Sequence, residues 1–231
     1  MPDIQARLST RVGDLTASPI RDILAVIDRP GMASFAGGLP SPDAFPDLSD
    51  IRVPPTKLQY GPTEGEPALR AQIADQLRAR GIKCEVERVL VLSGSQQGID
   101  LVAKLFIDPR TPIAVESPTY LAALQAFRFF GARLTSFAPS NADSLAEVFK
   151  DCILAYAIPN FQNPTGKCYS GEQRDRLAHA CDSTSTPLFE DDPYHDLAYD
   201  DCDTSPVCSR LKRAAWIYQG SFSKSLAPGL R

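Results

Sequence analysis

The sequence predicts an α/β fold in which helices cover both faces of a mostly parallel sheet, giving three layers behind an N-terminal arm. Segments with strand-like and helix-like patterns alternate from residue 66 onward, as in parallel sheets built from strand–helix–strand units. The strand-like segments are continuous apolar runs, which is typical of strands buried on both sides. With 231 residues, the chain is long enough for one large domain.

The first helix is predicted from the spacing of its apolar residues. Leu69, Ile73 and Leu77 recur at every fourth position between charged residues, and Gly81 follows as a stop signal. Helices are then predicted over residues 95–106, 120–131 and 171–182, and about six strands over residues 89–94, 112–117, 133–138, 152–159, 186–191 and 214–221. Residues 1–60 contain one short amphipathic stretch, Ile20 to Ile27, among turn-forming Pro and Gly pairs, which predicts an arm rather than a packed domain.

Composition and charge exclude several classes of function. The 24 Lys and Arg against 28 Asp and Glu leave a net charge of −4, with no basic run that would hold a nucleic acid. The longest apolar stretch, Cys152 to Ile158, is far shorter than the ~20 residues of a membrane-spanning helix, and no secretory signal is recognisable. The six cysteines lack C-x-x-C spacing, which predicts reduced thiols in the cytoplasm and no metal site. The expected ligands are small molecules.

Polar loops follow the predicted strands, at the edge where parallel sheets bind ligands. The first reads SGSQQG and places Ser95 and Gln96 after Gly94 at a helix N-terminus. Free N–H groups and the helix dipole favour an anion such as phosphate there. The same two residues also serve as ordinary helix caps, so this loop by itself leaves both interpretations open.

The last loop, SFSKSLAPGLR, brings two hydroxyls, an amine and a guanidinium together in sequence: Ser221, Ser223, Lys224 and Arg231. These groups are suited to bind the same phosphate from its other side. A lysine at the end of a buried strand needs a compensating charge or a lowered pKa, and a lowered pKa makes the amine nucleophilic. A lysine that snorkels to solvent at the strand mouth is the alternative.

The EDDPY loop holds two adjacent carboxylates, and strand geometry directs only one of Asp191 and Asp192 toward a site. Tyr194 follows across Pro193. A carboxylate within a cleft stabilises a protonated ring nitrogen. A surface turn rich in Asp and Pro is the alternative interpretation.

Taken together, the motifs resemble the pyridoxal-phosphate-dependent aminotransferases of fold type I, class I/II. The motifs are NPTG at Asn163 to Gly166, D-x-x-Y at Asp191 and Tyr194, and SFSK with an arginine seven residues later. The segments FAGGLPSPDAFP, LQYGPTEGEPALR, VLSGSQQGID and SPIR are similar to those of aminoadipate and kynurenine aminotransferases and of aminotransferase-like domains in GntR-type regulators. The resemblance runs from about Ser18 to the last residue.

The resemblance implies a role for each residue around the cofactor ring. Lys224 is expected to form the aldimine with pyridoxal 5'-phosphate and to move the substrate proton. Asp191 pairs with the ring nitrogen, Tyr194 and Asn163 bind the 3'-oxygen, and Tyr120 stacks on the ring. The resemblance implies that Asp191 keeps the ring protonated and electron-accepting, and that Tyr194 and Asn163 lower the pKa of the aldimine.

The resemblance also implies a phosphate site and a substrate site. The phosphate is expected to contact Ser95, Gln96, Ser221, Ser223 and Arg231, with Tyr60 reaching over from a second subunit. That last contact predicts a homodimer. Arg21, Gly38 and Asn163 are expected at the substrate, where Arg21 either binds a distal carboxylate or is an exposed arm residue.

The similar enzymes continue well beyond the lysine motif, whereas this chain stops at Arg231. We therefore expect residues 1–60 to form an arm and part of a small domain with the substrate loop. Residues 61–231 then form a cofactor-binding large domain that is incomplete at its C-terminus. A truncated longer enzyme is the favoured expectation, and a chain that folds poorly, pairs with another chain or is catalytically silent is the alternative.

The function expected from the resemblance is transfer of an amino group between an α-amino acid and a 2-oxo acid. A second enzyme hypothesis keeps the cofactor but ends in β-elimination or decarboxylation, because the bond that breaks depends on its alignment with the ring. The non-enzyme hypothesis is an aminotransferase-like sensor domain or an inactive remnant.

Overall fold

The computed structural model of the chain describes residues 7–14, 30–33, 38–141 and 144–229. The SPIR motif at residues 18–21 with its Arg21, the stretch from residue 20 to 27, and Arg231 lie outside the described residues.

Five parallel strands form the sheet of the described part, which confirms the α/β class. They are β1 (Pro112–Glu116), β2 (Arg133–Phe137), β3 (Leu154–Ala157), β4 (Leu188–Asp192) and β5 (Trp216–Gly220), arranged in the order β2-β1-β3-β4-β5. Every neighbouring pair is parallel. The carboxyl ends of all five strands therefore meet at one edge of the sheet.

The α-helices of the described part are α1 (Pro67–Ala79), α2 (Ser95–Phe106), α3 (Leu121–Phe129), α4 (Leu145–Phe149) and α5 (Gly171–Thr184). Four of them match predicted helices to within a few residues, and the short α4 was not predicted. Gly81, at φ +86°, follows α1 in the left-handed conformation that glycine adopts most easily. In the ranges that the structure describes, no helix is both long and apolar enough to cross a bilayer.

The core lies on both faces of the sheet, because successive side chains of a buried strand point in opposite directions. On β3, Leu154 and Tyr156 pack with α2 and α3, whereas Ala155 and Ala157 pack with α4 and α5. All four side chains are fully buried. The helices thus form a layer on each side of the sheet, as the continuous apolar runs predict.

The strand predicted over residues 89–94 is wrong, since the structure has no strand there. Its backbone makes one recorded contact with another loop, from Val91 N–H to the Glu64 carbonyl at 2.9 Å. Leu90 is about half exposed, at 49%. A strand requires a neighbouring ladder for its backbone groups, and β5, at the edge of the described sheet, does not pair with this segment.

Candidate active site

The two carboxylates at the end of β4 point to opposite faces of the sheet, as strand geometry predicts, and both are buried. Asp191 Oδ2 accepts a hydrogen bond from the Tyr156 hydroxyl at 2.7 Å, and its Oδ1 accepts one from Gln219 Nε2 at 2.9 Å. Asp192 Oδ2 instead accepts from Asn160 Nδ2 at 3.0 Å and from the Tyr218 hydroxyl at 2.7 Å. Asp191 alone faces the side of the sheet that carries α2 and α3.

Tyr120 and Tyr194 both lie near the Asp191 carboxylate. Burial and the negative charge of Asp191 raise the pKa of both phenols. The Asn163 side chain hydrogen-bonds Tyr194 and partly offsets the rise in its pKa. Burial also raises the pKa of Asp191, to about 6. The structure therefore brings three predicted site residues, Tyr120, Tyr194 and Asn163, together beside the carboxylate of a fourth, Asp191.

Gln162 ties the loop after β1 to the loop after β3. Its side chain is buried, and its Nε2 donates to the Pro118 carbonyl at 2.6 Å. Its Oε1 accepts from the backbone N–H and the hydroxyl of Thr165 at 3.0 and 2.7 Å. Because Tyr120 follows the first loop and Asn163 belongs to the second, this amide links the segments that carry them.

The half-buried Lys224 lies in the loop after β5. Its Nζ donates to the Gly38 carbonyl at 3.4 Å, so the predicted lysine and a predicted substrate-loop residue lie together. In the same loop, the Ser223 N–H donates to Ser221 Oγ at 3.1 Å.

The other residues predicted for the phosphate come from two places. Ser95 and Gln96 begin α2. One turn further on, Gly98 packs directly against Gln219 near the end of β5. The start of α2 therefore lies at the carboxyl edge of the sheet, close to where the loop with Ser221 leaves β5. Tyr60 is fully exposed and is not part of this cluster.

Comparisons with known proteins identify the family. The model of aminotransferase class I and II matches residues 31–231. The chain belongs to the class I and II aminotransferases.

Individual members of the family are similar over nearly the whole chain. The 2-aminoadipate transaminase of Thermus thermophilus is 39% identical over 95% of this chain and 58% of its own length. The kynurenine aminotransferase of Pyrococcus horikoshii superposes with a TM-score of 0.84 and 30% identity, over 99% of this chain and 61% of that one. The α-aminoadipate aminotransferase of Thermus thermophilus, solved with N-(5'-phosphopyridoxyl)-L-leucine, superposes with a TM-score of 0.82 and 35% identity. The match covers 99% of this chain and 61% of that one. The chain thus spans about three fifths of the length of these aminotransferases.

Sequence reasoning missed three polar residues that contact the candidate site of this family member: Tyr156, Gln219 and Gln162. The available signal was a polar side chain within an apolar run, as in CILAYAIP and AAWIYQGS. A buried hydroxyl or amide requires a hydrogen-bond partner. The partner itself is set by strand register, which pairs Asp191 with Gln219 and is not readable from either run alone.

Glu116, the last residue of β1, gives the stability of the chain a testable pH dependence. Its Oε2 accepts from the Ile158 N–H at 3.3 Å, and burial raises its pKa from 4.5 to about 7. Between these values the folded chain holds a proton that the unfolded chain has lost, so stability falls as pH rises through this window. We expect the parent to lose about 2 kcal/mol more than Glu116→Gln between pH 5.5 and 8.

Urea unfolding followed by circular dichroism at the two pH values measures this difference. Glu87→Gln, which changes an exposed carboxylate, is the control and should keep the pH dependence of the parent. Equal pH dependence in the parent and in Glu116→Gln would contradict the assignment.

Proposed function

We propose that the chain is the cofactor-binding part of a pyridoxal-phosphate-dependent aminotransferase, which moves an amino group between an α-amino acid and a 2-oxo acid. One observation carries the proposal. The buried Asp191 carboxylate has Tyr120, Tyr194 and Asn163 around it at the strand ends, and the neighbouring loop supplies the amine of Lys224.

The donor set fits pyridoxal phosphate. When bound, the cofactor supplies an aldehyde and a ring that accepts the electron pair left as a substrate Cα–H bond breaks. Asp191, ionised at neutral pH, holds a proton on the ring nitrogen. Tyr194 and Asn163 hydrogen-bond the ring 3'-oxygen, and Tyr120 covers one face of the ring.

Lys224 would supply the amine that holds the cofactor through its aldehyde, and the same amine would take the proton from the substrate Cα. Its Nζ already contacts the Gly38 carbonyl, which supports a substrate position beside these residues. Asn163 borders the same space, and Arg21 is the proposed partner of a distal substrate carboxylate. Holding these groups within reach of one carbon atom converts the proton transfer into a step within one complex.

The phosphate is proposed to lie between the start of α2 and the loop after β5. Its ligands are Ser95, Gln96, Ser221, Ser223 and Arg231. Tyr60 of a second subunit completes this site in a homodimer, which is supported by the full exposure of Tyr60. We place the enzyme in the cytoplasm and in amino-acid metabolism, with residues 1–60 as arm and substrate loop and 61–231 as the large domain.

The first test is an absorbance spectrum of the purified chain with added pyridoxal phosphate. We expect a band shifted to longer wavelength from that of free cofactor, and we expect it to be absent in Lys224→Ala because that variant lacks the proposed amine. Lys167→Ala, which removes an exposed lysine, is the matched control and should retain the band. Identical spectra for the parent and Lys224→Ala would contradict the role of Lys224.

Product analysis then decides the reaction. An amino acid and 2-oxoglutarate should yield the matching 2-oxo acid and glutamate. Ammonia or carbon dioxide as product would instead indicate β-elimination or decarboxylation. A stable covalent band without any product would indicate a sensor or an inactive remnant.

A further inference from the structure

Both oxygens of the Asp191 carboxylate are held by side chains from the two flanking strands. Tyr156 on β3 donates to Oδ2, and Gln219 on β5 donates to Oδ1. Asp191 is 3% exposed and Gln219 is 7% exposed, so water competes little for these hydrogen bonds. Asp191 and Gln219 are also direct partners in the parallel register of β4 and β5. The amide therefore fixes the plane of the carboxylate from one side.

The Gln219 amide has a single orientation that suits its surroundings. Its Nε2 must face Asp191, because an ionised carboxylate only accepts hydrogen bonds. Its Oε1 then lies against the first turn of α2, where a Cβ built on Gly98 would lie only 2.0 Å away. A side chain at residue 98 would require the Gln219 amide to shift, whereas glycine leaves room for it. This packing connects the carboxylate to the helix that begins at the proposed phosphate site.

The electrostatic effect of the amide opposes that of burial. Burial raises the pKa of Asp191 to about 6, and the hydrogen bonds from Tyr156 and Gln219 lower it. The nearby charge of Asp192 raises it further. Without the amide donor, Asp191 would become protonated closer to neutral pH, and a protonated carboxyl group does not stabilise a positive charge on its partner.

We propose that Gln219 is a positioning residue that keeps Asp191 an oriented carboxylate for the ring nitrogen of the cofactor. The part of this inference that concerns the ring rests on the proposed function. Gln219 itself touches neither ring nor substrate, because its donor is used on Asp191. Tyr156 acts in the same way on the other oxygen.

A titration that needs no cofactor tests the link between Gln219 and Asp191. In the chain labelled with ¹³C at aspartate carboxyl groups, the Asp191 signal is assigned as the one missing from Asp191→Asn. Gln219→Met, which keeps the length of the side chain but removes the donor, should raise the pKa of Asp191 by about one pH unit. Tyr156→Phe should raise it in the same direction.

Tyr218→Phe is the matched control for the titration. This variant removes the hydroxyl that donates to Asp192. Asp192 is a buried aspartate directly after Asp191 on β4, and its side chain lies on the other face of the sheet. The variant should leave the pKa of Asp191 unchanged, although it removes one buried hydrogen bond from the fold, as Gln219→Met does. An unchanged Asp191 pKa in Gln219→Met, or an equal change in Tyr218→Phe, would overturn the inference.

Cofactor affinity tests the link to the ring. Gln219→Met should bind pyridoxal phosphate about tenfold more weakly than the parent, measured by quenching of Trp216 fluorescence, and Tyr218→Phe should bind like the parent. A parent that binds no cofactor would refute the proposed function and the role toward the ring, while the titration would still decide whether Gln219 controls Asp191. A parent that binds while Gln219→Met binds equally well would overturn the positioning role alone.

Discussion

Replacing Asp191 with asparagine is expected to lower the rate of 2-oxo acid formation by roughly a hundredfold to a thousandfold. Asparagine has the same size and can keep a hydrogen bond from Tyr156, so the local packing survives. The amide carries no charge, however, and does not hold a proton on the ring nitrogen. The electron pair left at the substrate Cα is then less well stabilised. Single-turnover conversion of an amino acid by the cofactor-loaded chain measures the effect.

The neighbouring aspartate provides a control of the same chemistry. Asp192→Asn changes an equally buried carboxylate that accepts from Asn160 and Tyr218 on the other face of the sheet. It should alter stability but leave the single-turnover rate within about tenfold of the parent. If both variants lose the rate to the same extent, the loss reflects damage to β4 and not the charge of Asp191.

Replacing Arg174 with methionine is expected to lower the free energy of unfolding by about 3–5 kcal/mol. Arg174 on α5 is fully buried and donates to the carbonyls of Asp203 and Ser205 at 2.6 and 2.8 Å. It also donates to Asn160 Oδ1 at 2.7 Å. Methionine fills part of the space but supplies no donor, so several buried oxygens lose their partners at once. Guanidinium unfolding followed by circular dichroism measures the loss.

Two further variants on α5 test whether burial is the cause. Arg176→Met removes an exposed guanidinium that pairs with Glu172 one turn earlier, and it should cost less than about 1 kcal/mol because exposed pairs contribute little. Arg174→Lys keeps the charge but has fewer hydrogen-bond donors, so its loss in the free energy of unfolding should lie between those of the other two variants. A similar loss in Arg174→Met and Arg176→Met would show that the buried network adds nothing to stability.

Much of the candidate site was predictable because each motif combines an apolar strand with the polar residues that directly follow it. The run ending in Asp191 is an example: its apolar residues predict a buried strand, and alternation predicts that Asp191 and Asp192 diverge. The same holds for the amine of Lys224 after β5. The family itself was identified from motif order, since NPTG, D-x-x-Y and SFSK occur in sequence with the right spacing.

Predictions that depended on distant parts of the chain were less reliable. Residues 89–94 have the composition of a strand, but no neighbour in the described structure pairs with them, so the pattern alone was misleading. The short α4 was missed because five residues are too few to establish a helical period. Arg174 was not singled out in the sequence, and only packing shows that it is buried against Asn160 and Asp203.

The sequence by itself determined the fold class, the edge of the sheet where the candidate site lies and the residue types available there, because these follow from periodicity and from chemistry close along the chain. Only the tertiary structure decided which donors hold each oxygen of Asp191, and that Gln162 bridges two loops. Tyr156 and Gln219 are 35 and 28 positions from Asp191 along the chain, and Gln162 is 44 positions from Pro118. The physical reason is that strand register and helix packing are collective properties of the folded chain, and no local pattern specifies them.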